Sequence, residues 1–251
     1  MRTPSIDSCR SPRGIATLAA IAATALTVAG CDAPASDPLG PTPEVAATKV
    51  ADGSSVPVLD FATGVPAGGT ARLDRFEGGV NYRIDAEALE PGHAYTLWVV
   101  IFNDPSGCAA GTPNVTFCGG PDLVNDAAHP DMMYAGGHVV GGSGQATFAG
   151  RRDVGDRSGS ANEPVGLPAY GLESPGRAEI YLIVHDHGPA NAAYMPSMIQ
   201  SIDGGCTDTG VPEAGVASPW NDYSGPPAGA FGVRGPNTCA SARIALHVPS
   251  M

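Results

Sequence analysis

Lysine is almost absent from this 251-residue chain: Lys49 stands alone against 12 arginines. Charged residues are 15% and aromatic residues 6%, where about 25% charged is ordinary. Acidic groups outnumber basic ones 25 to 13, for a formal charge of −12. Basic clusters are missing, and Arg151-Arg152 is the one adjacent pair after residue 30. Nucleic acid and anionic head groups would be repelled, so neither is an expected partner. Beyond the N-terminus no stretch has a clear 3.6-residue apolar period, which excludes a coiled coil or helical bundle. No P-loop, GxGxxG or GxSxG occurs. Asp208-Thr209-Gly210 has no second copy, so the paired carboxylates of an aspartic protease are absent. No catalytic constellation emerges, and the reading leans away from an enzyme.

Glycine (34) and proline (24) supply about 23% of the chain, and hydrophobic residues 43%. That much apolar material can bury a core. Short apolar runs punctuated by turn residues read as strands. They are Val56–Phe61, Ala71–Phe76, Val80–Ala86, Tyr95–Phe102, Gly137–Val140, Gln145–Ala149, Ala178–His187, Ser197–Ile202 and Ala242–Val248. Tyr95–Phe102 (YTLWVVIF) is continuous and reads as a central strand buried on both faces. Gly141-Gly142-Ser143-Gly144 is a hairpin-turn candidate. The expected fold is all-β: a single Ig-like or superoxide-dismutase-like β-sandwich over residues 56–251. Three long loops remain, Asn103–Pro130, Asp153–Gly176 and Asp203–Asn237, and loops of that length are functional or poorly ordered.

Arg2, Arg10 and Arg13 precede an uncharged apolar stretch, Ile15–Gly30, that is short for a membrane span of about 20 residues. It ends in Val28-Ala29-Gly30-Cys31. This resembles the lipobox of bacterial lipoproteins, and the resemblance implies cleavage after Gly30 and a diacylglycerol on Cys31. Residues 1–30 are then a signal peptide, and 31–55 a Pro/Ala/Ser-rich tether holding the domain off a membrane. The expected address is extracytoplasmic and membrane-anchored, in the periplasm or at the cell surface. Without residues 1–30 the chain carries 10 basic and 24 acidic residues, or −14.

Six cysteines occur. Cys9 leaves with the signal and Cys31 takes the lipid. Cys108, Cys118, Cys206 and Cys239 remain, an even number for an oxidising compartment. Cys108–Cys118 would close a short loop, and Cys206–Cys239 would tie the last strand to a long one; three pairings are open in all.

His185 and His187 are two apart on an expected strand, so both face one side. Two imidazoles at that spacing can share copper or zinc. His138 is a third candidate ligand, and the thioethers of Met195 and Met198 would suit copper. The bland alternative is that the two histidines bond loop carbonyls while the methionines fill core. Trp220 and Tyr223 form a loop pair that could contact a glycan.

YTLWVVIFNDPSGC, CGGPDL, GQATFAG and AEIYLIVHDHGPA together resemble a family of secreted bacterial proteins with no assigned activity, over most of residues 90–248. His185-Asp186-His187-Gly188-Pro189-Ala190 also resembles the HxHGPA signature of chordin-type (CHRD) domains, whose fold relates to Cu/Zn superoxide dismutase. That resemblance implies a β-sandwich. In CHRD domains the motif lies early and a second His-bearing strand follows. Here it lies late, and His247 stands alone after it. The functional expectation is a non-catalytic binding or structural module of the bacterial envelope, its partner an envelope protein or glycan. The alternatives are a copper or zinc protein and a glycan-binding module.

Overall fold

The computed structural model describes residues 52–112, 115–207 and 232–249. The expected signal peptide, Cys31, most of the expected tether, Trp220 and Tyr223 lie outside them.

The all-β expectation holds. Eight strands form one antiparallel sheet: β1 (Asp52–Asp60), β2 (Pro66–Phe76), β3 (Gly79–Ala86), β4 (His93–Phe102), β5 (Pro130–Val139), β6 (Ala146–Asp153), β7 (Glu179–Pro189) and β8 (Ala240–His247). Their order is β5-β4-β7-β8-β1-β2-β3-β6. The two edges, β5 and β6, are consecutive in the chain and joined by residues 140–145 alone. The sheet therefore curls back on itself and is barrel-like or sandwich-like. Arg152 of β6 spans the seam by donating to the Tyr134 carbonyl of β5.

This order corrects the reading of Gly141–Gly144 as a hairpin turn. The segment does turn, with Gly144 N–H on the Gly141 carbonyl at 3.1 Å. Yet β5 pairs with β4 and β6 pairs with β3, each over nearly its full length. The turn passes between sheet edges and is held by Leu89 N–H on the Gly144 carbonyl, 2.9 Å.

β2 and β3 alternate, with Ala71, Leu73, Val80 and Ile84 buried inside. One solvated face explains that alternation. β4 is buried throughout except at His93. Tyr95, Leu97, Val99 and Ile101 join the inner core. Trp98, Val100 and Phe102 join a second core on the outer face, with Tyr181 of β7 and Met132 of β5. That second core is why Leu97–Phe102 is apolar on both faces.

The described residues of the loops 103–129 and 154–178 pack on this outer face rather than hanging free. Buried amides and a carboxylate fasten them. Asn103 donates to the His129 and Gly171 carbonyls and accepts from Glu173 N–H. Asp131 accepts from the Ser160 hydroxyl (2.6 Å) and Gly171 N–H (2.7 Å). Asn162 donates to the Pro130 and Pro168 carbonyls. Buried polar groups matched this fully order a loop.

Three boundaries differ from expectation. The tether gives way to β1 at Asp52, where Ser54 pairs with Leu73 and Ser55 with Arg72; the polar Asp-Gly-Ser-Ser lead conceals a strand end. β5 begins at Pro130, well before Gly137. Ser197–Ile202 is not a strand. Met195–Met198 is a one-turn helix, α1, with proline in its first turn. The chain after it crosses the outer face of β5, where the Tyr134 hydroxyl donates to the Ile199 carbonyl at 2.7 Å. A Cβ on Gly137 would lie 2.3 Å from that carbonyl oxygen, so the crossing needs a glycine below it.

Candidate functional site

The site lies on the outer face of β4, β7 and β8. Alternation along β7 sends Ile180, Leu182 and Val184 into the inner core. Tyr181, Ile183, His185 and His187 therefore face outward. The two imidazole rings meet edge to face, 4.9 Å between centroids.

Both nitrogens of His187 are engaged. Nδ1 lies 2.9 Å from the Gly204 carbonyl, which can only accept, so Nδ1 carries the proton. Nε2 then accepts from the Thr96 hydroxyl at 2.8 Å. The Thr96 oxygen in turn accepts from Trp98 Nε1–H at 3.0 Å. Burial pushes His187 down to about 4, against the opposing pull of the Gly204 carbonyl and Asp186. His185 is pushed down to about 3 by burial, helped by its neighbour His187. Its Nδ1 lies 3.5 Å from the Ser241 hydroxyl. Its Nε2 is buried without a hydrogen-bond partner.

Beside these rings runs the Cys206–Cys239 disulfide, with Cys206 Sγ 3.8 Å from His187 Nδ1. One donor atom from each of His185, His187, Cys206 and Cys239 lies within 4.8 Å of the others, and all four residues are buried. The group can hold a metal ion, but the cysteines are joined, and the thiolate is the ligand form.

The other candidate ligands go elsewhere. His138 pairs across from Tyr95 on the inner face and stacks on Phe148, 4.6 Å between centroids. It is on the wrong side of the sheet to join His185. Burial lowers its pKa. Met198 is buried beneath Gly205, where a Cβ would sit 2.6 Å from its Cγ. Met195 opens α1 and is half-buried. His93 pairs with Asp186, and His129 pairs with Glu173 while stacking on Tyr170.

Next to His185 the outer face holds a cavity of about 310 Å³. Its walls are mostly carbon: Trp98, Val100, Phe102, Ile183, Ile244 and Leu246. Gly119 and Leu123, just after the Cys108–Cys118 disulfide loop, border it, and Ser241 lies at the His185 side. Pockets of small apolar ligands begin at about this volume.

The bordering loop is built around two carboxylates. Asp122 accepts from Ala109, Ala110 and Gly119 N–H groups at 2.9–3.0 Å. Burial raises its pKa, but these donors and Asn125 outweigh that and hold it below the usual range. Its oxygens are spent on the loop. Buried Glu179 accepts from Phe117 and Cys118 N–H and touches the Tyr181 hydroxyl.

Sequence reasoning missed Thr96, Glu179 and the cavity. The one signal for the cavity was that the centre of AEIYLIVHDH, Ile180–Val184, like Leu97–Phe102 of YTLWVVIF, is apolar on both faces. Comparison with protein-family models, curated proteins and solved structures finds no match to this chain. Among the described residues no helix is long and apolar enough to cross a membrane. The disulfides fit an oxidising compartment.

Proposed function

We propose that this chain is a lipid-anchored, extracytoplasmic, non-catalytic binding module. Its ligand seat is the cavity on the outer face, and its ligand is a small apolar molecule. The cavity carries this reading, because a carbon-lined space of about 310 Å³ stands beside a fastened loop instead of being packed shut. Close packing is the rule in protein interiors. The anchor reading rests on the n-region, the apolar stretch and Cys31 in their order. Changing Cys31→Ser is expected to move the protein from the membrane fraction to the soluble extracytoplasmic fraction. Unchanged membrane association would contradict it.

A second reading, a copper or zinc protein, is favoured by one observation, the gathering of His185, His187, Cys206 and Cys239. Metal content measured by mass spectrometry should then fall in a His185→Ala, His187→Ala double variant. A content unchanged from wild type would remove it. An envelope protein or a glycan remains a wider partner class, and Trp220 and Tyr223 are the glycan candidates.

A further inference from the structure

We propose that His185, His187, Cys206 and Cys239 form a zinc site that the Cys206–Cys239 disulfide keeps closed and that reduction opens. The inference rests on the metal reading above and adds a condition to it, the redox state of two named cysteines.

The donor set is that of a Cys2His2 structural zinc site. The four residues come from three places: β7, the loop at Gly204–Cys206, and the lead into β8. They are brought together by the fold, since Cys206 and Cys239 stand 33 residues apart. Reduction by an exchanging dithiol is a two-electron step. The S–S bond breaks, two protons and two electrons pass to Cys206 and Cys239, and the dithiol closes to its own disulfide. Zinc then binds the two sulfurs as thiolates and releases both protons. Two thiolates and two neutral imidazoles make the complex neutral, which suits a buried place where an uncompensated charge is costly.

Each imidazole has the partner that zinc ligation needs. Metal-bound histidines donate their other ring N–H to an oxygen. His185 presents Nε2, which has no hydrogen-bond partner, while Nδ1 faces the Ser241 hydroxyl. His187 would ligate through Nδ1, the nitrogen 3.8 Å from Cys206 Sγ. It would give up the Gly204 carbonyl, which lies in the loop that reduction frees. Its proton then belongs on Nε2, 2.8 Å from Thr96 Oγ1. The Thr96 oxygen has two lone pairs, so it can accept from both His187 and Trp98. One hydroxyl thus serves both tautomers of His187.

The test uses the mature chain, oxidised or treated with a phosphine reductant and stripped of metal. Zn²⁺ is titrated against a chromophoric chelator, and Co²⁺ reports thiolate ligation by its charge-transfer band. Reduced protein should take up one equivalent, at least ~10³-fold more tightly than oxidised protein. Cys206→Ser with Cys239→Ser should lose the cobalt band, and Cys108→Ser with Cys118→Ser should keep it. His185→Gln, with both disulfides native before reduction, should weaken zinc even if the cysteine variants fold poorly. Equal binding by oxidised and reduced protein would overturn the redox condition and leave the histidine reading standing. No binding in either state would overturn both. A cobalt band lost equally in both cysteine pairs would mean non-specific thiols and overturn the site.

Discussion

At Thr96 a single hydroxyl serves two buried groups, Trp98 Nε1–H and His187 Nε2. Thr96→Val keeps the shape and orphans both. An unsatisfied buried group costs about 1–3 kcal/mol, so the pair should lose roughly 2–4 kcal/mol of stability. The midpoint of urea unfolding reads this directly, and a change below about 1 kcal/mol would show that the three groups do not depend on one another. The buried histidines also set a pH dependence. Burial lowers His185 to about 3, and His187 and His247 to about 4, with Arg75 adding to the effect at His247. Unfolded histidine titrates near 6.5. Between 6.5 and about 4 the unfolded chain therefore binds protons that the folded chain does not. Stability is full above 6.5 and falls as pH drops through that window. Denaturant midpoints from pH 7.5 to 4.5 should decline, and a flat profile would contradict the burial of these rings. That His185 and His187 share a face was legible from their spacing. Their partners were not, because Thr96 lies 91 residues from His187. His138 was misread for a sharper reason. It is four residues from Tyr134, which faces outward. Strict alternation would put it outward too. A β-bulge opposite Leu97 and Trp98 adds a residue to β5 and flips His138 inward.

Among the elements, β4 and β7 were the most legible, because each holds a continuous β-branched and aromatic run, Leu97–Phe102 and Ile180–Val184. The loops were the least legible. Nothing in the spacing of Asn103, Asp131 and Asn162 announces that their side chains meet around one loop. The two disulfides divide the outer face between them. Cys108–Cys118 closes a 10-residue separation beside the cavity, and Cys206–Cys239 closes 33 residues beside the histidines. Loop-closure entropy gives about 3 and about 4 kcal/mol for these lengths. Replacing each pair by serine should lower stability in that order. Hydrogen exchange should locate the effects, faster at 105–128 for the first pair and at 197–207 for the second, with the centre of β4 slow in both. Equal acceleration along the whole chain would contradict this division.

For the whole molecule the class was readable and the strand order was not. Composition and turn spacing imply an all-β chain, but they do not say that consecutive strands β5 and β6 become opposite edges. That follows from long-range pairing, β5 with β4 and β6 with β3, which a local turn cannot specify. The curled sheet has consequences at both surfaces. Its inside is filled, and Arg75 stands at one end, donating to the carbonyls of Ala178, His247 and Val248. Its outside carries the second core over β4 and β7, with the cavity beside Ile183. With a charge of −14 after Gly30, an anionic ligand would be repelled at long range. A neutral apolar ligand is the one proposed for the cavity, whose lining is mostly carbon. The most direct test is native mass spectrometry of the mature chain, purified without denaturant and then titrated with a neutral apolar solvatochromic probe. One bound probe is expected per wild-type chain and none for Ile183→Trp, whose added ring fills the cavity while the fold, read by circular dichroism, is retained. Equal binding by both proteins, or binding by neither, would contradict the assignment of the cavity as the ligand seat.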